Sequence, residues 1–165
     1  MGLQTVSFET LNPLDQKLLA YAVKSAKESE CSRRHVGAVV RVTEDLIVTS
    51  GFNGRGCLHG DHCSHKGMEP GTEKPCNGEH AEIMALEASD NLVPPDSTLN
   101  RHLYVTLFPC IDCCIEILKR RHFRRIFYIE DYGNNLGKDL LLSAGIELIK
   151  VIMPGGEIDG LSRID

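Results

Sequence analysis

No stretch of the 165 residues approaches the run of apolar side chains needed to cross a bilayer, so a membrane-spanning role is not expected. The opening segment, MGLQTVSFETLNPLDQ, lacks a basic start followed by an apolar core, and no secretory signal is read there. Gly2 follows Met1, but Phe8 and Glu9 close behind give a myristoylation reading little support. Positive charge is not in excess: 18 basic against 23 acidic side chains leave −5 and a pI near 5.8. Such a surface repels polyanions on average, which argues against long nucleic acid as substrate and leaves a mononucleotide in a small basic pocket open. Internal repeats, low-complexity tracts and linkers are missing too, so residues 1–165 read as a single domain with enough chain to bury a core. Its 42% apolar and 25% charged residues suit a soluble globular protein.

What is present in quantity is cysteine, seven in all. Without an export signal, and among histidines at ligand-like spacings, these read as thiolates on metal in a reducing cytosol rather than as disulfides.

Helical periodicity runs from Pro13 to Glu30, with Asn12 as its cap. Val36 to Val42 and Leu46 to Phe52 are β-branched runs joined by Thr43-Glu44-Asp45, a hairpin pattern. Periodicity vanishes from Asn53 to Gly78, an unusually long irregular stretch for a compact domain. Glu79 to Ala88 is predicted helical, with Pro94-Pro95 barring further continuation. A strand over Leu103–Leu107, a helix over Asp112–Lys119, a strand over Arg125–Ile129, a helix over Asp139–Ala144 and a strand over Ile146–Ile152 follow, and the end from Pro154 reads as coil. Strands alternating with helices after an opening hairpin predict an α/β fold, a mixed three-layer α/β/α sandwich.

The chemistry concentrates in His80-Ala81-Glu82 and, about thirty residues on, Pro109-Cys110-Ile-Asp-Cys113. His80, Cys110 and Cys113 are three zinc donors, and three protein ligands leave one tetrahedral corner for water, as in a catalytic site. Both halves fall at helix starts, which lower thiol pKa values and would face one point at the sheet's carboxyl edge. Cys114 is rotated away and reads as a small buried apolar residue. Glu82, two positions from His80, can relay a proton from an activated water to a ring nitrogen and then to a leaving amine. The reaction class this points to is hydrolytic deamination of an aminated heterocycle. A closed zinc knuckle is the plain alternative, but it has no use for the carboxylate.

His-x-Glu with a later Pro-Cys-x-x-Cys is the pattern of zinc-dependent nucleobase deaminases. From about Ala20 to Val151 the chain resembles the cytidine/deoxycytidylate deaminase superfamily, most of all its phage and bacterial deoxycytidylate branch. Ser29-Glu-Cys-Ser-Arg-Arg-His-Val-Gly-Ala-Val-Val resembles that branch's opening strand, and Gly51-Phe-Asn-Gly54 its Gly-Tyr-Asn-Gly turn. Leu103-Tyr-Val-Thr-Leu-Phe-Pro-Cys and Tyr128-Ile-Glu-Asp-Tyr132 resemble its third strand and the end of its fourth. The resemblance implies a five-stranded sheet, a homo-oligomer (often a hexamer), dCTP and dTTP as effectors, and conversion of dCMP to dUMP with release of ammonia, which feeds thymidylate synthesis. It also implies Asn53 on the sugar, Tyr132 near the base, Arg33 or Arg34 at the phosphate, and Ala81 as a further substrate-binding residue. One position departs: where the branch has Asn two residues after the motif's Glu, Met84 stands here. His80-Ala-Glu-Ile-Met-Ala-Leu is in that respect closer to tRNA adenosine and riboflavin-pathway deaminases. The acidic charge and the want of a long basic C-terminal helix argue against a tRNA substrate.

Cys57, His59, His62, Cys63, His65 and Cys76 crowd the irregular stretch, and Cys31 precedes the first predicted strand. Some resembling enzymes carry a second, structural zinc, which implies a closed site from Cys31, Cys63, Cys76 and His65 or His62. Metal binding would supply ordering energy to a stretch with little apolar surface; a mobile loop with unligated thiols is the alternative. Lys119-Arg-Arg-His-Phe-Arg-Arg125 is the one dense basic run. It reads as a dipole-matched helix end or subunit contact, or else, in a nucleic-acid-binding zinc module, as the strand-binding stripe, although only Phe123 interleaves it.

Overall fold

The computed structural model describes residues 2–31, 34–43, 47–55, 78–133 and 135–155. Among these described residues six strands form one mixed sheet: β1 (Leu3–Ser7), β2 (Gly37–Val42), β3 (Ile47–Phe52), β4 (Arg101–Leu107), β5 (Phe123–Glu130) and β6 (Glu147–Ile152), in the order β1-β6-β5-β4-β2-β3. β4, β5, β6 and β1 run parallel to one another, while β2 is antiparallel to both β3 and β4. The expectation of five strands is therefore corrected to six. The added one, β1, pairs Leu3 with Leu148 through Ser7 with Ile152. Its side chains are nearly all exposed, so no apolar alternation marks it in the sequence.

Among the described residues four α-helices cover the sheet: α1 (Pro13–Ala26), α2 (Ala81–Leu92), α3 (Ile111–Leu118) and α4 (Leu136–Ser143). α1 starts where proline is tolerated, at its first position, and Asn12 Oδ1 accepts from the Asp15 N–H at 2.8 Å. It stops at Ala26, four residues before the predicted end, because Ser29 turns away to donate its hydroxyl to Asn53. α2 outruns its predicted end by four residues and stops just short of Pro94, as a proline barrier requires. α4 begins three residues early by running through Gly137, where a Cβ would stand 2.8 Å from Cys114 Sγ.

Alternation along the strands divides the core in two. Val39, Tyr104, Phe127, Ile149 and Val151 point to one face and pack with Leu18, Leu19 and Ala22 of α1. Ala38, Val40, Leu103, Val105, Ile126, Tyr128 and Leu148 point to the other, with Ala81, Ala85 and Leu86 of α2, Cys114 and Ile117 of α3 and Leu141 of α4. That is the three-layer arrangement, and each fully buried leucine or isoleucine contributes about 1.5–3 kcal/mol to it.

Two glycines bring helix backbone onto the sheet. A Cβ on Gly37 would lie 1.9 Å from Ala22 O, and one on Gly51 would lie 2.3 Å from Ala81 O. The second contact matters here, since it seats the first turn of α2 directly on β3. Because β2 runs against β4, the start of β2, the end of β3 and the carboxyl ends of β4, β5 and β6 share one edge.

Candidate active site

At that edge α2 and α3 begin side by side. His80 and Cys110 occupy the same position in their helices, the extended residue just before the first turn, and neither makes a side-chain cap hydrogen bond. Each is instead turned toward the other: Cys110 Sγ lies 3.6 Å and Cys113 Sγ 3.3 Å from His80 Nδ1. The three ligand atoms all fall within 4.8 Å of one another. Tetrahedral zinc with ordinary Zn–N and Zn–S bonds places nitrogen and sulfur about 3.6 Å apart, so one imidazole and two sulfurs at this spacing fit that ion. Two helix N-termini face the same point and favour negative charge on the sulfurs.

Taken as side chains alone, the trio shares protons. Hydrogen bonding to Cys113 draws the Cys110 thiol down to about 4, and hydrogen bonding to Cys110 lifts His80 to about 9. Cys113, which hydrogen-bonds to the Cys110 sulfur and is buried, is pushed up. A cation bound among them would displace those protons. Cys114 behaves as expected of a core residue: it is wholly buried, and its thiol donates to Pro109 O at 3.6 Å.

Glu82, the second residue of α2, is 5% exposed and accepts from Cys113 Sγ at 3.7 Å. Burial lifts its carboxyl to about 7, against the pull of the His80 charge. A carboxyl poised there both takes and gives protons at neutral pH. Beside the trio a cavity of about 300 Å³ is lined by His80, Ile83, Asp112, Cys113, Ile115 and Glu116.

The approach to His80 is fixed by a clamp. Gly54 N–H donates to Glu79 O at 2.9 Å and Glu79 N–H to Arg55 O at 2.8 Å, with an Arg55–Glu79 ion pair alongside. Gly54 has φ +91°, and a Cβ on it would meet Cys31 N at 2.6 Å, so only glycine fits.

Asn53 stands at the same edge with its amide engaged by protein. Its Oδ1 accepts from Ser29 Oγ at 2.6 Å and from Val36 N–H at 2.7 Å, and its Nδ2 donates to Arg34 O at 2.8 Å. Arg34 in turn pairs with Glu130 at the end of β5. Ala81 is buried at the first turn of α2, and Tyr132 follows β5, half-buried against the main core. Cys31 is buried against Gly54, its N–H donating to Ser29 Oγ at 3.2 Å. Arg33, Cys57, His59, His62, Cys63, His65 and Cys76 lie outside the described residues. Sequence reasoning missed Ser29, Glu130 and the seating role of Gly51; a glycine inside a strand is the signal that marks the last.

The basic run lies at the opposite edge, near the start of β5, and much of it is already spoken for. Arg120 pairs with Asp90 at 2.6 Å and Glu116 at 3.2 Å, Lys119 with Glu116, and Arg125 with Glu147 at 3.0 Å. Arg124 donates to Asn100 Oδ1 at 2.9 Å.

Residues 13–130, which contain His80, Glu82, Cys110 and Cys113, match the model of the cytidine and deoxycytidylate deaminase zinc-binding region. The chain belongs to the cytidine and deoxycytidylate deaminase family. Among this deaminase's relatives, ComE operon protein 2 of Bacillus subtilis is 31% identical over 139 residues, 83% of this chain and 70% of that protein. The deoxycytidylate deaminase of Schizosaccharomyces pombe is 30% identical over 156 residues, 87% of this chain but 46% of its own length. The chain thus spans about half of the yeast enzyme. The dCMP deaminase of cyanophage S-TIM5, solved with dCMP and dUMP, superposes with TM-score 0.65 at 26% identity, covering 85% of this chain and 98% of that one. The family makes this chain an enzyme of the zinc-dependent hydrolase type, and no helix among its described residues is long and apolar enough to cross a membrane.

Proposed function

We propose that this deaminase acts on dCMP, releasing dUMP and ammonia, with His80, Cys110 and Cys113 as zinc ligands and Glu82 as the proton carrier. The observation that carries the reading is a buried carboxyl, lifted to about 7, hydrogen-bonded into a His/Cys/Cys trio of zinc dimensions. Bound zinc supplies a water acidified for attack at neutral pH. Glu82 accepts a proton at a carboxylate oxygen, delivers it to the pyrimidine N3 and then carries one to the departing amine. The burial that raises its pKa also limits competition from bulk water in that transfer.

For the substrate, two of the relatives above are named for deoxycytidylate or dCMP, and one was solved with dCMP and dUMP. Arg33 or Arg34 would meet the phosphate, and Asn53, Ala81 and Tyr132 the nucleoside. A second, structural zinc on Cys31, Cys63, Cys76 and His65, a homo-oligomer, dCTP and dTTP as effectors, and a cytoplasmic setting complete the proposal. Ammonia release from cytidine, deoxycytidine, dCMP, dCTP and adenosine compounds tests it, with the highest kcat/KM expected for dCMP. A better substrate elsewhere in that panel would overturn the assignment. Glu82→Gln should keep zinc and lose about 10²-fold or more in turnover, and elemental analysis should find two zinc ions per chain.

A further inference from the structure

Three thiols crowd the start of α3, and they are not equivalent. Cys110 is half-buried just before the first turn, Cys113 is 1% exposed one turn on, and Cys114 is locked in the core by its hydrogen bond to Pro109 O and its packing on Gly137. The Cys110 and Cys113 sulfurs lie within 4.8 Å of one another. Residues three apart at a helix start have Cα atoms about 5 Å apart, inside the span a disulfide bridges without backbone movement. An accessible sulfur next to a sheltered one is the arrangement of an attacking and a resolving thiol.

We infer that Cys110 and Cys113 form a reversible redox pair whose disulfide and whose metal binding exclude each other, so that oxidation gates loading of the site. The inference rests on the metal-site reading of the trio. The oxidant is a peroxide. The Cys110 sulfur attacks one peroxide oxygen, the O–O bond breaks, and the departing hydroxide leaves as water with the proton released by the thiol. Cys113 then attacks the resulting sulfenic sulfur: the S–S bond forms, the S–O bond breaks, and a second water leaves. The two sulfurs together give up two electrons and the peroxide gains them; a dithiol reverses the change. Once bridged, neither sulfur is a thiolate donor, and His80 alone of the three ligands survives. Zinc protects in the same way, since sulfur lone pairs on a metal are withheld from the oxidant. Cys114, turned into the core, does not compete for the bridge.

The full-length chain, stripped of metal with a chelator, is treated with hydrogen peroxide, digested without reductant and mass-mapped, and its zinc uptake is measured against a chromogenic chelator. The expected result is a peptide carrying Cys110 and Cys113 lighter by about 2 Da, the loss of two hydrogens, in the wild type and in Cys114→Ser alike. Zinc affinity at this site should fall about tenfold or more and return with dithiothreitol, and the zinc-loaded chain should oxidise about tenfold more slowly. Cys110→Ser, folded by circular dichroism, should form no such bridge. Thiols that stay reduced, that pass to sulfinic acid without bridging, or that bridge while zinc uptake is unchanged would each overturn the inference. An active deaminase with unbridged thiols sinks this inference alone, whereas a zinc-sensitive bridge in a chain that deaminates nothing sinks only the functional reading.

Discussion

Replacing Asn53 by alanine separates a structural duty from a substrate contact. The side chain ties Ser29, Arg34 and Val36, three points of the segment leading into β2, to the end of β3. Alanine leaves the Val36 N–H and the Arg34 carbonyl without their partner, while the Ser29 hydroxyl keeps the Asn53 backbone carbonyl at 2.9 Å. An unsatisfied buried donor costs about 1–3 kcal/mol, and the segment's partial exposure lets water recover some of the rest, so a total near 3 kcal/mol is expected. For a chain of this size that is a fall in Tm of about 6–12 °C. Asn53→Asp keeps both acceptor interactions but turns an oxygen on the Arg34 carbonyl, and should lose about 1–2 kcal/mol. Thermal and urea unfolding measure both variants. If Asn53→Ala melts within about 1–2 °C of the parent, the tie described is refuted; a rise in KM beside the loss of stability would report the substrate contact separately.

Three further outcomes are expected. In metal-free protein the Glu82 carboxyl titrates near 4.5 unfolded and about 7 folded; its ionisation therefore costs nothing below pH 4.5, progressively more between 4.5 and 7, and about 3 kcal/mol above. Glu82→Gln should accordingly match the parent at acid pH and exceed it by about that amount at pH 8, and a pH-independent difference would refute the burial argument. Gly51→Ala drives a Cβ to 2.3 Å from Ala81 O; it should cost about 1–3 kcal/mol and, by shifting the turn that carries His80, weaken zinc uptake measured by chelator competition. Asp90→Ala strips the carboxylate from Arg120 and from the fully buried Arg101, and unfolding curves should show a loss of about 3 kcal/mol that salt scarcely changes.

The motif and most elements were legible in the sequence because each carries a local cause. The cap at Asn12, the β-branched runs of β2 and β3 and the proline after α2 act within a few residues. β1 was not legible: Leu3–Ser7 pairs with β6 at the sheet edge, and side chains that are nearly all exposed leave no periodic trace. Glu130 and Ser29 escaped for a related reason. Their partners are 96 and 24 residues away, and a single ion pair or hydroxyl bond has no pattern in one dimension. Asn53 shows another side of the limit: the resemblance placed it on the sugar, while the bonds of its amide to Ser29, Val36 and Arg34 left no trace in the sequence. That His80, Cys110 and Cys113 come together was legible from spacing, because two helix starts abut at one sheet edge.

The clamp at Gly54, Arg55 and Glu79 makes the imidazole's position a property of two distant stretches of chain. Two backbone hydrogen bonds, Gly54 N–H to Glu79 O and Glu79 N–H to Arg55 O, hold the residue before His80 to the chain that follows β3. Each such bond is worth about 1 kcal/mol. A change at the end of β3 is therefore felt at the ligand that opens α2, and the two must be inherited as a unit.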